Sequence, residues 1–565
     1  MQASDSQNLA HERTLLALAI LLGLVAAWIG RDAMISDGIS YLDLGDAYAY
    51  GNWAVAANAY WSPMYACFLG IAIRLLHPSI VWEFPVVHLV NFCCYVASLF
   101  AFRYLVRSLL ADRRDPQSDS DADGIFLLPE WAVWLLAYAL FLWATLELIT
   151  ISFVSPDLLL LAWVCLLAAL LVRLRGENSY ASFLAFGLVL GAAYLTKSVM
   201  FPLGFVFLAV LLFSRKLSRP RVLGTLLAGI AFLVVCSPLV FLISRAKGRL
   251  TFGETGKIGY AWLVTPGAPE IHWQGGPGNE VPLHPTRKIL DHPPIYEFAQ
   301  PVAGTYPPWD DPSYWNDGLR PHFNLRSQVR VLVASTVAYW KVLASQLAFV
   351  AGILILLLIG GRPARKRVLD YWPVFAISLA ALGLYSLVLV LPRYAAPFLL
   401  PPCLAAVAAV SLPKREGFDR VAKYVAIAVA VSMAVGILQP LLEEGSRNLL
   451  GGLHSRSPVE QIRAAQGLKK MGLKPGDRVA VIGEGINDFW ARLTRTKIVA
   501  QIMPDERGGE EFWNSSLEQK ERVYSILGNT GARALVTWSA SHADLGPGWI
   551  QVPGTFYRVH FLQSQ

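Results

Sequence analysis

Long apolar segments recur along the chain and are separated by shorter polar stretches. A helical segment of about 20 apolar residues, rising roughly 1.5 Å per residue, crosses the hydrocarbon core of a bilayer. The pattern predicts eleven transmembrane helices, at 14–30, 84–106, 130–149, 155–173, 180–196, 199–213, 222–244, 340–360, 371–391, 394–412 and 421–441. The predicted fold class is therefore an α-helical polytopic membrane protein.

One apolar stretch, residues 182–213, is too long for a single untilted span and contains Lys197 near its middle. Basic residues flank both of its ends: Arg173, Arg175, Arg215 and Lys216. Two passes that turn near Lys197 place both basic ends on one side of the membrane, as the positive-inside rule requires. The sequence therefore predicts a helical hairpin here.

The remaining basic clusters alternate in step with this hairpin. They fall in the cytoplasm if the N-terminus does, and their members are Arg103, Arg107, Arg113, Arg114, Arg362, Arg365, Lys366, Arg367, Lys414, Arg415, Arg420 and Lys423. The predicted outer segments are then the loop 31–83, the long loop 245–328 and the tail from 442. We predict a multi-pass protein of the inner (plasma) membrane, with an uncleaved first span, a cytoplasmic N-terminus and an extracytoplasmic C-terminal domain, periplasmic in a Gram-negative cell.

The tail, residues 442–565, has an ordinary density of charged residues and predicts a small α/β domain. Strand-like runs lie at 478–483 and 534–538, and a helical run lies between them at 516–527. Gly483-Glu484-Gly485 is interpreted as a turn, because a nucleotide-binding fingerprint needs a third glycine in a strand-turn-helix context. The chain is thus divided into a membrane domain, 1–441, and an extracytoplasmic domain, 442–565.

Composition agrees with a membrane protein and excludes a nucleic-acid-binding one. Hydrophobic residues make up 55% of the chain and charged residues 16%, against roughly 25% charged in an average soluble domain. The net charge of +8 arises from clusters at the ends of apolar segments rather than from one basic stripe. The six cysteines lie in or beside apolar segments, so no disulfide framework is predicted.

The first outer loop carries three carboxylates close to the membrane, Asp37, Asp43 and Asp46. Asp43 and Asp46 are spaced three residues apart and share a face if the segment is helical. The alternative is a solvated loop in which Asp37 caps a helix. The loop continues through Tyr60 and Trp61 into the run 66–76, which is too short to span and predicts an interfacial helix.

Four further polar residues lie at predicted outer ends of spans: Asp157, Lys197, Arg393 and Tyr394. Individually they have ordinary explanations, since an Asp after a proline can cap a helix and Lys or Arg can reach the interface. Together with Asp37 they suit the transfer of a sugar from a lipid phosphate. A carboxylate can take the proton of an acceptor hydroxyl, while the cations hold the departing phosphate. Aromatic residues, Trp53, Tyr60 and Trp61, could form the floor for a sugar ring.

At these residues the chain resembles the polytopic glycosyltransferases called GT-C, which use lipid-phosphate sugars and include protein O-mannosyltransferases and lipid A aminoarabinose transferases. The resembling segments are Asp37-Gly38-Ile39-Ser40-Tyr41, Trp61-Ser62-Pro63-Met64-Tyr65, Ser155-Pro156-Asp157, Gly191-Ala192-Ala193-Tyr194-Leu195-Thr196-Lys197, and Arg393-Tyr394 followed by Pro397. Members often have Asp-Glu in place of Asp37-Gly38, and Lys-Pro-Pro in place of Trp61-Ser62-Pro63.

The resemblance implies that 1–441 is a catalytic domain in which Asp37 acts as or near the base. It implies contacts of Lys197, Arg393 and Tyr394 with the phosphate of a polyprenyl-phosphate donor. The other candidates for substrate binding or secondary acid function are Asp43, Asp46, Asp157, Tyr41, Tyr60 and Trp61. Transfer by a single displacement would invert the anomeric centre. The acceptor is a lipid, a polysaccharide or a protein.

No metal cofactor is predicted as a requirement. The long loop 245–328 contains His272, His284, His292 and His322, but no pair has the i,i+4 spacing that favours zinc on a helix. A divalent metal stays possible, and the loop is predicted to cover the cavity and to order when the donor binds. The competing functions are a transporter or flippase of lipid-linked saccharide, a structural partner in an envelope complex, and a ligase that moves a whole glycan.

Overall fold

A computed structural model describes residues 2–113, 125–176, 179–267, 271–276, 279–414, 417–450, 457–503, 510–539 and 546–562. Arg114 and Arg415, two of the predicted cytoplasmic cations, lie outside these ranges. The chain forms two compact units. The helical unit comprises 1–30, 91–252 and 325–447, and the mixed unit comprises 31–90, 253–324 and 448–565.

The helical unit contains nearly all of the predicted spans. Its helices are Gln2–Ile29, Glu83–Asp112 (which begins in the mixed unit), Glu130–Leu142 with a π-helical turn at Trp143–Leu148, Asp157–Arg173, Tyr180–Thr196, Met200–Phe213, Arg219–Lys247, Leu325–Ala344, Leu347–Asp370, Trp372–Ser386, Pro392–Ala409 and Phe418–Leu450. Short antiparallel strands pair Ile125–Leu127 with Ser411–Pro413.

The chain is a multi-pass membrane protein by the length and composition of these helices. In the part of the chain that the structure describes, six helices are long and apolar enough to cross a bilayer: Ala10–Ile29, Glu83–Asp112, Glu130–Leu148, Arg219–Lys247, Leu347–Asp370 and Arg420–Gln439. Shorter apolar helices include Tyr180–Thr196, Met200–Phe213 and Trp372–Ser386. The total of eleven spans stays a prediction.

The predicted hairpin around Lys197 is confirmed as a pair of helices. The first helix ends at Thr196, Lys197 has an extended backbone (φ −155°, ψ 124°), and the second helix begins at Met200. The ring centroids of Phe186 and Phe207 lie 6.3 Å apart, although they are on opposite sides of the turn. The two helices therefore run antiparallel, with Lys197 at their connection.

The predicted span 340–360 is wrong at its start, because a helix break falls inside it. One helix ends at Ala344 and the next begins at Leu347. Trp143 donates its indole N–H to Ser345 Oγ at 3.2 Å, and Gln346 donates to the Glu147 carboxylate at 3.1 Å. Side chains of a neighbouring helix thus stabilise the break between the two helices. The number of consecutive apolar residues, from which the span was predicted, contains no information about such contacts.

In the mixed unit, the segment predicted as the loop 31–83 folds into helices Ser36–Ala49, Trp53–Ala56 and Pro63–Leu76. We call Ser36–Ala49 the first-loop helix. It crosses Pro63–Leu76 with the two backbones in contact, since a Cβ on Gly45 would lie 2.6 Å from the carbonyl oxygen of Ala66. A Cβ on Gly70 would lie 2.2 Å from the carbonyl oxygen of Gly45. Only glycine permits so close a crossing.

The tail contains the predicted α/β elements. Strands Arg478–Ile482 and Ala534–Trp538 pair in parallel, and helix Leu517–Asn529 lies between them in sequence. Ser516 caps that helix through a reciprocal capping box with Gln519. Gly483 has a positive φ of 108° and follows the strand directly, as the turn interpretation expects.

In the described part of the chain, the sheet has seven strands and is larger than predicted. In spatial order the strands are Thr286–Leu290, Ile295–Phe298, Lys497–Ile502, Arg478–Ile482, Ala534–Trp538, Tyr557–Phe561 and Trp549–Gln551. The first two come from the long loop 245–328, in which no strand was predicted. They are only five and four residues long, too short for a clear alternation, and pairing with Lys497–Ile502 defines them. The domain boundary at 442 stays a prediction.

The remaining helices of the mixed unit are short. Those in the long loop are Thr255–Leu263, Pro307–Asp310 and Pro312–Trp315. Those in the tail are Pro458–Lys470, a 3₁₀ turn at Gly485–Asn487, Trp490–Thr494 and Glu510–Trp513. Phe512, in Glu510–Trp513, packs in one buried apolar core with residues of the sheet such as Ile295 and Leu535.

Candidate active site

Four predicted residues from three separate parts of the chain meet in the helical unit. Asp157 is 0% exposed and accepts hydrogen bonds from Lys197 Nζ at 2.6 Å and Ser155 Oγ at 3.0 Å. Arg393 Nη1 lies 3.7 Å from the other Asp157 oxygen, Oδ2. Tyr394 follows Arg393 and receives a hydrogen bond from it at 3.3 Å. We call Asp157, Lys197, Arg393 and Tyr394 the Asp157 cluster.

Helix termini explain why these side chains lie where they do. Asp157 begins its helix directly after Pro156, and Arg393 follows Pro392 in the first turn of Pro392–Ala409. Pro392 occupies the first helical position, where proline is favoured because it has no backbone N–H to satisfy. Lys197 is the first residue past Thr196, so its side chain leaves the helix at the turn.

Aromatic rings complete the surroundings of the two cations. Lys197 Nζ lies 3.7 Å from the centroid of the Tyr394 ring, and the Arg393 guanidinium lies 4.4 Å from that of Phe153. Tyr385 stacks on Tyr394 with centroids 5.4 Å apart. Cation–π contacts of this kind hold a charge over a ring face. Sequence reasoning missed Phe153 and Tyr385, because uncharged aromatics at the ends of apolar helices are common and carry no distinguishing signal.

The Asp157 cluster has an excess of positive charge. Two cations surround one carboxylate, which leaves a net charge of +1 over the three side chains. The Lys197 and Arg393 side chains are 18% and 14% exposed, so both retain access to the surface of the unit. An ammonium and a guanidinium that are held in place by a carboxylate form a suitable site for a phosphate group.

Asp37 lies in the mixed unit, half-buried in the first turn of the first-loop helix. The cap of that helix is Ile35, so the alternative in which Asp37 is the N-cap is wrong. Asp37 precedes Tyr41 by one helical turn, and the two therefore share a face. The Tyr41 ring contacts Trp61 with centroids 5.1 Å apart.

Trp61 belongs to an aromatic cluster that also contains Tyr60, Trp262 and Trp309. Ring centroids lie 4.6 Å apart for Tyr60 and Trp61, and 5.8 Å apart for Trp61 and Trp309. Trp262 and Trp309 are stacked at 5.9 Å. Tyr60, Trp262 and Trp309 are only partly buried, so the cluster presents ring faces to which a sugar could bind. Trp53, the third aromatic predicted for that floor, packs instead against Tyr48.

Asp43 and Asp46 share a helix face as predicted, but both are bound to arginines of the tail. Arg492 Nη1 donates to Asp43 Oδ1 at 2.8 Å and lies 2.6 Å from Asp46 Oδ2. Arg495 Nη1 donates to Asp46 Oδ2 at 3.0 Å. Charged partners in these positions favour a structural role for Asp43 and Asp46 over the predicted role in substrate or acid chemistry. No feature of the tail sequence marks Arg492 among its other arginines.

Asp310, another acidic residue of the mixed unit, is buried and has no ion pair among the described residues. Asp310 is 4% exposed, and its Oδ1 has no hydrogen-bond partner in the described part of the chain. Burial raises the pKa of the Asp310 carboxyl well above its usual range, and the neighbouring charge of Asp43 raises it further. Asp310 therefore favours its neutral form more strongly than an exposed aspartate does.

Two of the loop histidines have side-chain partners within the protein. His272 is hydrogen-bonded to Thr286 at 2.9 Å and to Gln501 at 2.7 Å, and burial lowers its pKa to about 4. His292 Nδ1 lies 2.9 Å from Glu511. Among the described residues, no group of three or more His, Cys, Asp or Glu side chains is arranged to hold a metal ion.

The chain matches no family model and no curated protein by sequence. It is similar in structure to ArnT from Cupriavidus metallidurans in the apo state, with a TM-score of 0.51 and 15% identity over 97% of this chain and 98% of ArnT. The structure of that ArnT bound to undecaprenyl phosphate gives a TM-score of 0.51 and 14% identity, over 96% and 97%. The GT-C fold predicted from the sequence is therefore confirmed.

The predicted site residues thus fall into three groups in the structure. Asp157, Lys197, Arg393 and Tyr394 meet in the helical unit. Tyr41, Tyr60 and Trp61 meet in the mixed unit, with Asp37 one turn from Tyr41. Asp43 and Asp46 meet around Arg492. A common cavity for Asp37 and the Asp157 cluster stays a prediction.

Proposed function

We propose that the chain is a membrane glycosyltransferase that moves a sugar from a polyprenyl-phosphate donor to an acceptor on the outer face of the membrane. The observation that carries this proposal is the Asp157 cluster, a helix-terminal site with two cations, one carboxylate and a net positive charge. The GT-C fold supports it, and the ArnT structure of the same fold was solved with undecaprenyl phosphate bound.

Lys197 and Arg393 bind the phosphate of the donor and neutralise the charge that grows on it as the glycosidic bond breaks. Asp157 holds both cations in place. Tyr394 covers Lys197 with its ring face and accepts a hydrogen bond from Arg393. The cluster therefore serves binding and charge stabilisation.

Asp37 is the general base. It takes the proton of an acceptor hydroxyl as the acceptor oxygen attacks the anomeric carbon, and the bond from that carbon to the phosphate oxygen breaks. The polyprenyl phosphate leaves with the bonding electron pair. Because the chain supplies no covalent intermediate in this scheme, the displacement is single and the anomeric configuration inverts. Tyr60 lines the sugar-binding surface, and the buried rings of Tyr41 and Trp61 support it.

A transfer assay with purified protein in detergent tests the proposal. Radiolabelled polyprenyl-phosphate sugars are incubated with the protein and a membrane extract, and label is followed from the donor to an acceptor. Asp37→Asn is expected to reduce transfer about 10²- to 10⁴-fold, the usual contribution of a general base. The matched control is Asp32→Asn in the same loop, whose carboxylate is 3.8 Å from Arg31 and partly exposed.

The outcomes separate the competing functions. Equal turnover in Asp37→Asn and Asp32→Asn removes Asp37 from the role of base. Movement of an intact lipid-linked saccharide across proteoliposomes, without cleavage of the glycosidic bond, identifies a flippase instead. Transfer of a whole glycan from its lipid identifies a ligase. A phosphatase fused to the C-terminus should be active outside the cytoplasm, and an inactive fusion contradicts the proposed orientation.

A further inference from the structure

Arg492 lies in the short tail helix Trp490–Thr494 and is 2% exposed as a residue. Its guanidinium contacts three carboxylates at once. Nη1 lies 2.8 Å from Asp43 and 2.6 Å from Asp46, and Nε donates to Glu83 at 2.9 Å. Burial alone would lower the pKa of Arg492, but the charges of Glu83, Asp46 and Asp43 raise it well above its usual value.

Arg495 directly follows helix Trp490–Thr494 and binds two of the same carboxylates. It donates to Asp46 at 3.0 Å through Nη1 and to Glu83 at 2.9 Å through Nη2. We call Asp43, Asp46, Glu83, Arg492 and Arg495 the Arg492 network. Three carboxylates and two guanidinium groups leave a net charge of −1, so the network has no excess positive charge with which to bind an anion.

The network and Thr305 connect the first-loop helix with two distant segments of the mixed unit, the tail and the long loop. Asp43 and Asp46 come from the first-loop helix, and the arginines come from the tail. Asp43 also accepts hydrogen bonds from the backbone N–H of Thr305 at 2.6 Å and from Thr305 Oγ1 at 2.9 Å, and Thr305 belongs to the long loop. One residue of the first-loop helix is thereby attached to both of the other segments.

These contacts determine how the first-loop helix is rotated about its own axis. Asp43 and Asp46 lie on one face, and both are held, whereas Asp37 lies less than two turns away on a different face. A rotation of about 20° would move a carboxylate at roughly 6 Å from the axis by about 2 Å. Misplacement of a reacting group by about 1 Å can reduce a rate roughly 100-fold.

We propose that Arg492 is a positioning residue: by holding Asp43 and Asp46, it orients the first-loop helix so that Asp37 can accept the proton of the acceptor. The tail therefore serves the transfer reaction through the first-loop helix, without contact with the substrate. This inference rests on the proposed function, since it needs Asp37 to be the base.

The test compares Arg492→Gln with Arg533→Gln in the full-length protein in detergent. Arg533 is the matched control because it also lies in the tail and makes an ion pair, with Asp477 at 2.8 Å, but is half exposed. Arg492→Gln is expected to reduce kcat at least tenfold per folded molecule. The donor KM should stay within twofold, because the phosphate-binding cations belong to the Asp157 cluster. Arg492→Lys should recover only part of kcat, since an ammonium cannot reproduce the guanidinium fork.

Hydrogen exchange provides a readout that does not depend on activity. The amides of Ser36–Ala49 should exchange at least tenfold faster in Arg492→Gln than in Arg533→Gln. If Arg492→Gln does not fold, Asp46→Asn replaces it, because this variant keeps Asp43, Glu83 and both arginines. It should show the same direction of change in kcat and exchange.

A wild-type-like kcat in Arg492→Gln and Asp46→Asn overturns the inference. Unchanged exchange in the first-loop helix also overturns it, and so does a loss of activity that equals the loss of folded protein. A wild-type protein that transfers no sugar from any polyprenyl-phosphate donor instead contradicts the proposed function. In that case the exchange measurement still decides whether Arg492 holds the helix.

Discussion

The Asp157 cluster and the Arg492 network each surround a buried charged residue with groups of the opposite charge, but their charge balance is opposite. Two cations surround one carboxylate in the first, and three carboxylates surround two guanidinium groups in the second. A buried cation needs a carboxylate as a partner. When two cations share a single carboxylate, their remaining positive charge can still attract an anion. The comparison separates a candidate binding site from an element that organises the fold.

Lys197→Met gives the largest expected effect on this comparison. Loss of the ammonium removes one of the two charges that stabilise the departing phosphate, and we expect kcat/KM for transfer to fall about 10²- to 10³-fold. The transfer assay measures this. Lys216→Met is the control, because Lys216 lies at the other end of the same helical hairpin and is exposed. Equal activity in the two variants would exclude Lys197 from the site.

Asp157→Asn tests whether the carboxylate positions the cations. The cations lose a carboxylate that holds them, so we expect kcat to fall about 10- to 100-fold through their misplacement. The donor KM should not rise, since the net charge of the cluster becomes more positive. Donor titration in the transfer assay measures both quantities. A strong increase in KM with unchanged kcat would show instead that Asp157 contacts the substrate.

Protonation of His272 should lower the stability of the mixed unit and should not affect the transfer reaction directly. Its pKa of about 4 in the folded protein is below the unfolded value of 6.5, so the unfolded state binds more protons as the pH falls through this interval. Stability is therefore present above pH 6.5 and is lost towards pH 4, by up to about 3 kcal/mol. Thermal unfolding from pH 7.5 to 4.5 measures the loss, which should be smaller in His272→Gln. An equal loss of stability with falling pH in the wild type and in His272→Gln would contradict the role of His272.

Asp310→Asn gives the smallest expected effect and has the opposite sign. Because the folded pKa is raised, the wild-type carboxyl is increasingly unfavourable as the pH rises from about 4 towards that pKa. The amide has no proton to lose, so the variant should have a Tm a few degrees higher at pH 7.5. The difference should disappear near pH 4. A lower Tm in the variant at pH 7.5 would mean that the carboxyl is ionised and paired in the fold.

The charge and apolar patterns of the sequence predicted the Asp157 cluster better than the Arg492 network. Asp157, Lys197 and Arg393 were found because ionisable residues at the ends of membrane helices are rare enough to attract attention. Asp43 and Asp46 met the same criterion, and their spacing predicted their shared face. Their partner Arg492 is about 450 residues away, in a tail of ordinary charge density, and no local rule distinguishes it.

The sequence by itself determined the membrane character of the chain, the hairpin at Lys197, the strands at 478 and 534, and the residues of the Asp157 cluster. These features depend on apolar length, local turn chemistry and the energetic cost of charges in a membrane, all of which are local. Only the tertiary structure decided which carboxylates are paired with arginines, that two strands of the long loop extend the sheet of the tail, and that the helix break lies at Ser345. Each of these depends on contacts between residues distant in sequence, and hydrophobic and charge patterns along the chain do not specify which distant residues meet.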